Sequence, residues 1–424
     1  MYIHSIEFNN FYSFYEETSL DFTTSFAKST QTTDHICGRY VNKVNGIFGA
    51  NGSGKTNVLK AISFMCFFAR GSFDSKDKGR IPFNTHELHE GEPSNFKLEF
   101  SHLGNLFKYT FTVQNGFLNK EALYYQNPKT NKFKYLYKRE LIEDTIYTKL
   151  SAGKEVPERY NRFNKNNCSL LSFIAEVEDL DLLHQKNNLI WSAIQAFDLH
   201  FTNVGPRGKL DDTDDLLFDI SEKLAENENT ILFKLMQEVV RNIDLGISAL
   251  TIGVVKVRIN DEFRDKELLY AKHVDSSGKE YSFPILEEST GTQKIICALW
   301  HMIRAMIQGG VVVYDEIDSD LHILMMPFFI DIFTNHELNV KPGQLIYSGH
   351  AIDSIKELSK SQTFFVEKID LRSEIYSADE IEGLRTNENI YMKYKKGALG
   401  GVPELDASNI SLQNLMDSSL MGDK

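Results

Sequence analysis

The sequence predicts an α/β protein of two lobes built round a phosphate-binding loop, and three observations carry that expectation. The stretch GANGSGKT, Gly49 to Thr56, follows a short apolar run and precedes NVLKAISFMCFFAR, which has helical length and an apolar character. Between Asn95 and about Arg139, alternating segments (FKLEF, LFKYTFTV, EALYY) are separated by turn signals such as Asn115-Gly116, the pattern of an antiparallel meander. After about residue 246 strands alternate with helices, which implies a largely parallel sheet.

Taken in order, YIHSIEF and SLDF read as two early strands, followed by a polar loop from Thr23 to Asp34. VNGIFGA enters the glycine-rich loop as a strand. Past the meander, ELIEDTIYTKL, LLSFIAEVEDLDLL and ILFKLMQEVVRNI have helical periodicity and high charge, broken by a polar stretch from Pro206 to Asp215, so residues 141–245 read as a helical insertion. ALTIGVVKVRI and ELLYAKHV return to strand character. TQKIICALWHMIRAMIQ is a long amphipathic helix stopped by Gly309 and Gly310. GVVVYDE is a continuous apolar strand of the buried, parallel type. LIYSGH and TFFVEKI repeat that pattern, with helices expected at 325–333 and 352–358. The expected divisions are an N-terminal lobe over 1–140, the insertion over 141–245, a C-terminal lobe over 246–405 and a tail over 406–424.

The composition fits two lobes: 424 residues, 42% hydrophobic and 25% charged. Lys and Arg number 46 against 59 Asp and Glu, a formal charge of −13 that excludes a surface basic all over, so any nucleic-acid contact needs a local patch. Cys37, Cys66, Cys168 and Cys297 are scattered without CxxC spacing, which indicates neither a disulfide scaffold nor a zinc site. With no signal-peptide pattern in MYIHSIEFNNFYSF and no run of about 18 apolar residues, the expectation is a cytoplasmic protein without membrane contact.

Gly49, Asn51, Gly52, Ser53, Gly54, Lys55, Thr56 and the following Asn57 are the candidate nucleotide contacts. Glycines let the backbone N–H groups close round phosphate oxygens at a helix N-terminus, Lys55 neutralises the outer phosphates, and Thr56 offers its hydroxyl to Mg²⁺. In VVVYDEID, Asp315 stands at the carboxyl end of a buried strand, where such folds place the carboxylate that orders Mg²⁺. Glu316 beside it is then placed to orient or deprotonate an attacking water; taken alone it is a solvated acid at a strand end. His350 ends the next strand, from where it could reach the terminal phosphate of the same nucleotide.

Together these pieces resemble the ABC-type ATPase heads of the SMC, RecF and OLD proteins. The resemblance is closer to the AAA-family ATPases of bacterial phage-defence and abortive-infection loci, of the RloA and AbiL kind. Their motifs occur in order as NNFYSF, IPF (Ile81 to Phe83), ESTGTQ, DEIDSDLH, QLIYSGH, FFVEK and ALGGVPEL, spanning residues 1 to about 405. Tyr12 stands where those proteins have Arg, Ser348-Gly349 where they often have Thr-Thr, and Gln114 in the meander fits a Q-loop poorly.

The resemblance implies an ABC-head-like, two-lobe P-loop fold with ATP and Mg²⁺ as cofactors. It further implies a homodimer or larger homo-oligomer in which two copies sandwich ATP. Ser289, Gly291 and Gln293 would face the γ-phosphate held by the other copy, while Asp315, Glu316 and His350 hydrolyse it slowly; Asp320 and His322 would border that interface. The function it implies is that of a sensor and scaffold of an antiviral system controlling a separately encoded, nuclease-like effector, because no acidic cluster of Toprim or HNH type follows the core. Two alternatives stand beside it. One is a RecF-like DNA-binding repair ATPase using the basic and aromatic run KTNKFKYLYKR, Lys129 to Arg139, with Arg159, Arg162 and Lys165. The other is a nucleotide-gated assembly protein with negligible turnover.

Overall fold

A computed structural model describes the chain apart from residues 25–31, 75–78, 153–155, 181–187, 211–212, 227–229, 244–245, 260–261, 320–321, 323–324, 342, 385–387 and 403–424. Strand Val44–Gly49, buried from Val44 to Phe48, lies inside a six-stranded sheet. Its order is His200–Thr202, Val311–Tyr314, Gln344–Ser348, Val44–Gly49, Thr363–Ile369, Arg372–Ser377. The first five run parallel and the last is antiparallel. The runs GVVVY and QLIYS are apolar because a parallel sheet is covered on both faces.

The second sheet is the meander, seven antiparallel strands in the order Thr145–Leu150, Phe133–Ile142, Phe117–Gln126, Asn105–Gln114, Ser94–His102, Tyr2–Phe8, Thr18–Asp21. Asn115 and Gly116 turn the second hairpin with φ of 53° and 80°, the left-handed pair that a two-residue hairpin favours. Helix Lys55–Gly71 lies between the two sheets and joins Ile47, Val311 and Ile346 to Phe96, Phe100 and Phe111 in one core. Ring centroids of Phe68 and Phe111 are 4.4 Å apart and those of Phe64 and Phe96 5.1 Å. Burying each such ring contributes about 1.5–3 kcal/mol. The side chain of the fully buried Gln344 ties the sheets together: it accepts from Ile3 N–H at 2.9 Å and donates to Ile3 O at 3.0 Å and Asn42 O at 3.1 Å.

A second core packs helix Thr290–Gln308 against helices Thr213–Ala225 and Ile231–Asn242 and the three-stranded sheet Ala249–Ile259, Glu262–Val274, Glu280–Pro284. Residues 141–245 do carry helices, but they are divided between the cores. Helices Leu170–Val177 and Leu189–Asp198 pack with Lys55–Gly71, and the two later ones belong to the second core. The intervening His200–Thr202 is an edge strand of the parallel sheet.

Three local expectations are corrected. ELIEDTIYTKL is not helical: Glu143 and Asp144, at φ of 45° and 64°, turn a hairpin in which Leu141 pairs with Ile146. Its charges lie on the exposed strand face, and their spacing imitates a helix. Ile352–Glu357 is a 3₁₀ turn rather than an α-helix. Arg139, the last base of the run expected to contact DNA, is fully buried on Glu121 at 2.6 Å.

Candidate active site

Strand Val44–Gly49 delivers the phosphate loop to the carboxyl edge of the parallel sheet. At Gly49 a Cβ would lie 2.3 Å from Val366 O, so only glycine lets the neighbouring strand pass. Gly54 caps the following helix at φ 118°, a conformation that side chains rarely adopt. Lys55 Nζ donates to Gly49 O at 2.8 Å and Ala50 O at 3.0 Å, folding back along the loop. Burial lowers its pKa, while Asp315, Glu316 and Asp318 pull in the opposite direction. The Ser53 hydroxyl is buried without a hydrogen-bond partner.

Asp315 is 3% exposed and held on every side. Thr56 Oγ1 donates to its Oδ2 at 2.9 Å, Ser348 Oγ donates to Oδ1, and the Asn203 side chain accepts from its N–H at 2.7 Å and donates to its carbonyl at 2.9 Å. Glu316 follows at φ 48°, its N–H donating to Ser348 Oγ at 2.9 Å. His350 Nε2 is 3.8 Å from Glu316 Oε1. The expected trio of Asp315, Glu316 and His350 thus meets at the loop.

A cavity of about 310 Å³ lies between them, lined by Asn51, Lys55, Thr56, Asn57, Glu316 and His350 among others. A larger one of about 760 Å³, between Phe83, His86 and Asn115, shares Ser13, Asn57 and Lys368 with it. The donor set fits a nucleoside triphosphate: a lysine and an orphan hydroxyl at a helix N-terminus suit phosphate oxygens, and a Thr hydroxyl beside a buried carboxylate suits Mg²⁺.

The other expected contacts lie elsewhere. Ser289 caps helix Thr290–Gln308, its Oγ accepting from Thr292 N at 3.2 Å, and Gln293 Nε2 donates to Leu286 O at 2.9 Å and Glu288 O at 3.0 Å. Neither these two nor Gly291 lines the phosphate-loop cavity. His322 is exposed, and Asp320 lies outside the described residues. Gln114 donates to Gly91 O at 2.9 Å within the meander. Asn203, Asp318, Ser13 and Ser373 were missed. Ser373 Oγ donates to Ser53 O and lies 2.7 Å from Ser13 Oγ, which can donate to it, bracing the loop from the antiparallel edge strand. Asn203 and Ser373 are isolated polar residues on distant segments with no sequence signal, whereas Ser13 and Asp318 lie inside NNFYSF and DEIDSDLH, which specify no contact for them.

A family model described as "AAA domain, putative AbiEii toxin, Type IV TA system" matches residues 44–351, from the first residue of the phosphate-loop strand to the residue after His350. The chain belongs to this AAA-domain family. Membership makes the site that of an ATPase-type domain. No curated protein matches the chain.

Among solved structures, the SMC head domain from Thermotoga maritima is 14% identical with a TM-score of 0.42, over 89% of this chain and 99% of that one. An Smc head domain with a coiled coil and joint from Pyrococcus yayanosii is 12% identical with a TM-score of 0.44, over 94% and 99%. An Smc head bound to the C-winged helix domain of ScpA is 14% identical with a TM-score of 0.44, over 89% and 97%. Among the described residues of this AAA domain, no helix is long and apolar enough to cross a membrane.

Proposed function

We propose that the chain is a slow ATPase of the RloA and AbiL kind, which closes as a pair of copies on ATP and thereby controls a separate, nuclease-like effector of a defence system. The observation that carries the reading is the division of labour between two surfaces. Thr56, Asp315, Glu316 and His350 gather at the phosphate loop, whereas Ser289, Gly291 and Gln293 stand at the start of a helix that lines none of that cavity. A second copy would supply them. The family description, which names a toxin of a type IV toxin–antitoxin system, supports a place in defence.

In this reading the backbone of 49–54 and Lys55 hold the phosphates, and Thr56 with Asp315 would hold Mg²⁺, which supplies charge neutralisation when bound. Glu316 takes the proton of the attacking water, and His350, whose Nε2 lies 3.8 Å from that carboxylate, donates to the terminal phosphate oxygen. Ser289→Arg tests the arrangement. ATP binding should stay within about twofold, while dimer closure and hydrolysis fall by about 100-fold or more, as for loss of preorganised stabilisation of transferring charge. Light scattering with and without ATP, and phosphate release, are the measurements. Retained hydrolysis would reduce the motif to a helix cap.

A second reading, nucleic-acid contact, is favoured by one face. Residues 95–150 carry nine Lys and Arg against five Asp and Glu in a chain that is acidic as a whole. On the exposed face of the meander Lys108 Nζ lies over Tyr124 and Phe133, and Lys138 Nζ over Tyr124 and Tyr135, at 4.6–5.5 Å from the ring centroids. Changing Lys108 and Lys138 together to Ala should weaken duplex or single-strand binding and lower the salt-dependence slope by about 1.4–1.8. Identical binding isotherms at two salt concentrations would remove this reading.

A further inference from the structure

Asp318 lies three residues beyond Asp315, outside every group assigned above, yet it grips the histidine loop twice. Its Oδ2 accepts from His350 N–H at 2.7 Å and from Ala351 N–H. The turn that carries it is closed by Ser319 N–H donating to Glu316 O at 2.9 Å. That turn is stitched to the parallel sheet by Ile317 N–H donating to Ser348 O at 3.1 Å. Gly349 makes the approach possible, since a Cβ there would lie 3.1 Å from Asp318 Oδ1. That second oxygen is buried without a partner.

One carboxylate oxygen receiving two successive amide N–H groups is a charge-assisted contact, stronger than bonds between neutral groups. The two amides belong to the peptide groups on either side of the His350 α-carbon, so fixing both planes fixes the backbone torsions from which the imidazole branches. We propose that Asp318 is a positioning residue, a clamp that couples the turn bearing Glu316 to the loop bearing His350 and so sets the distance between those side chains. The inference rests on the reading of Glu316 and His350 as the hydrolytic pair, but the clamp can be read without turnover.

The test uses the full chain with MgATP and two readouts. In amide hydrogen exchange, Asp318→Ala should speed exchange at His350 and Ala351 on the order of tenfold or more, the scale of a lost hydrogen bond to a charged group. Asp318→Asn, whose carbonyl oxygen can still accept both, should stay within about threefold of wild type. Gly349→Ala, which pushes a methyl against the carboxylate from the other side, should reproduce the loss in a chain that keeps Asp318. In phosphate release, Asp318→Ala should lower kcat about 10- to 100-fold, the scale of a misplaced catalytic group, with affinity for a fluorescent ATP analogue within about threefold. Added to His350→Ala it should cost nothing further. Unchanged exchange in Asp318→Ala and Gly349→Ala overturns the clamp. A full additional loss on the His350→Ala background, or loss of ATP binding, overturns the positioning role. If His350→Ala itself hydrolyses normally, the hydrolytic reading fails while the exchange data still decide the clamp.

Discussion

Glu316→Gln should lower ATP turnover by about 10²- to 10⁴-fold, the range over which a positioned general base acts, with ATP affinity within about twofold of wild type. Glutamine has the size and reach of the carboxylate but accepts no proton. The backbone that presents it, with φ 48° and an N–H bonded to Ser348 Oγ at 2.9 Å, makes no use of the side-chain charge. A non-glycine residue in the left-handed region costs on the order of 1–3 kcal/mol, which the surrounding bonds must offset. With chemistry blocked, the variant should accumulate with ATP as a closed pair, visible as a doubled mass in light scattering. It should also retain the proposed effector on co-purification. Turnover equal to wild type would instead favour the nucleotide-gated assembly protein. Turnover lost without ATP-dependent self-association would break the sandwich mechanism while leaving the ATPase.

Glu121→Ala should destabilise the fold by about 3–5 kcal/mol, because it strands a cation in the core. Arg139 and Glu121 are both fully buried and 2.6 Å apart. Tyr109 and Tyr137 hydroxyls donate to Glu121 at 2.9 and 2.6 Å, and Leu170 N–H donates to it at 3.2 Å. Burial, and then the Glu121 charge, holds both phenols well above their ordinary pKa, so they remain donors. Arg139 also donates to the carbonyls of Cys168 and Lys165 and lies 4.7 Å from the Phe163 ring centroid. The network therefore seats the start of helix Leu170–Val177 on the meander. Denaturant midpoints should show the loss for Glu121→Ala and largely recover it in Glu121→Leu with Arg139→Met, where no charge is left buried. A small loss in the single variant, or none recovered in the double, would show that hydrophobic packing rather than the ion pair sets this junction.

The phosphate loop was legible because its residues are contiguous and their chemistry is local: eight positions specify turn, cation and hydroxyl. Asp315 and His350 were legible because a buried parallel strand announces itself as an unbroken apolar run, and its carboxyl end is where side chains reach a ligand. Asn203 and Asp318 were not, since their roles exist only where distant segments cross. Arg139 misled for a different reason. It lies in a polar run of the sequence, and only strand register, which sets it opposite the buried Glu121, shows that it points inward. The hairpin at Glu143 and Asp144 was misread because charges three and four apart satisfy a helix as well as one face of two strands.

The place of strand Val44–Gly49 has a consequence for how the protein comes into being. Its two neighbours, Gln344–Ser348 and Thr363–Ile369, are made some 300 residues later. At about 5–20 residues per second, the ribosome emits the phosphate-loop strand roughly 15–60 s before either edge of it can be paired. Through that interval an apolar strand waits with both edges open, a state exposed to mispairing. A chain released before about residue 344 would carry the whole GANGSGKT sequence and neither of the two strands that flank its carrier strand. Nucleotide binding then becomes a report that both flanking strands have been made and paired.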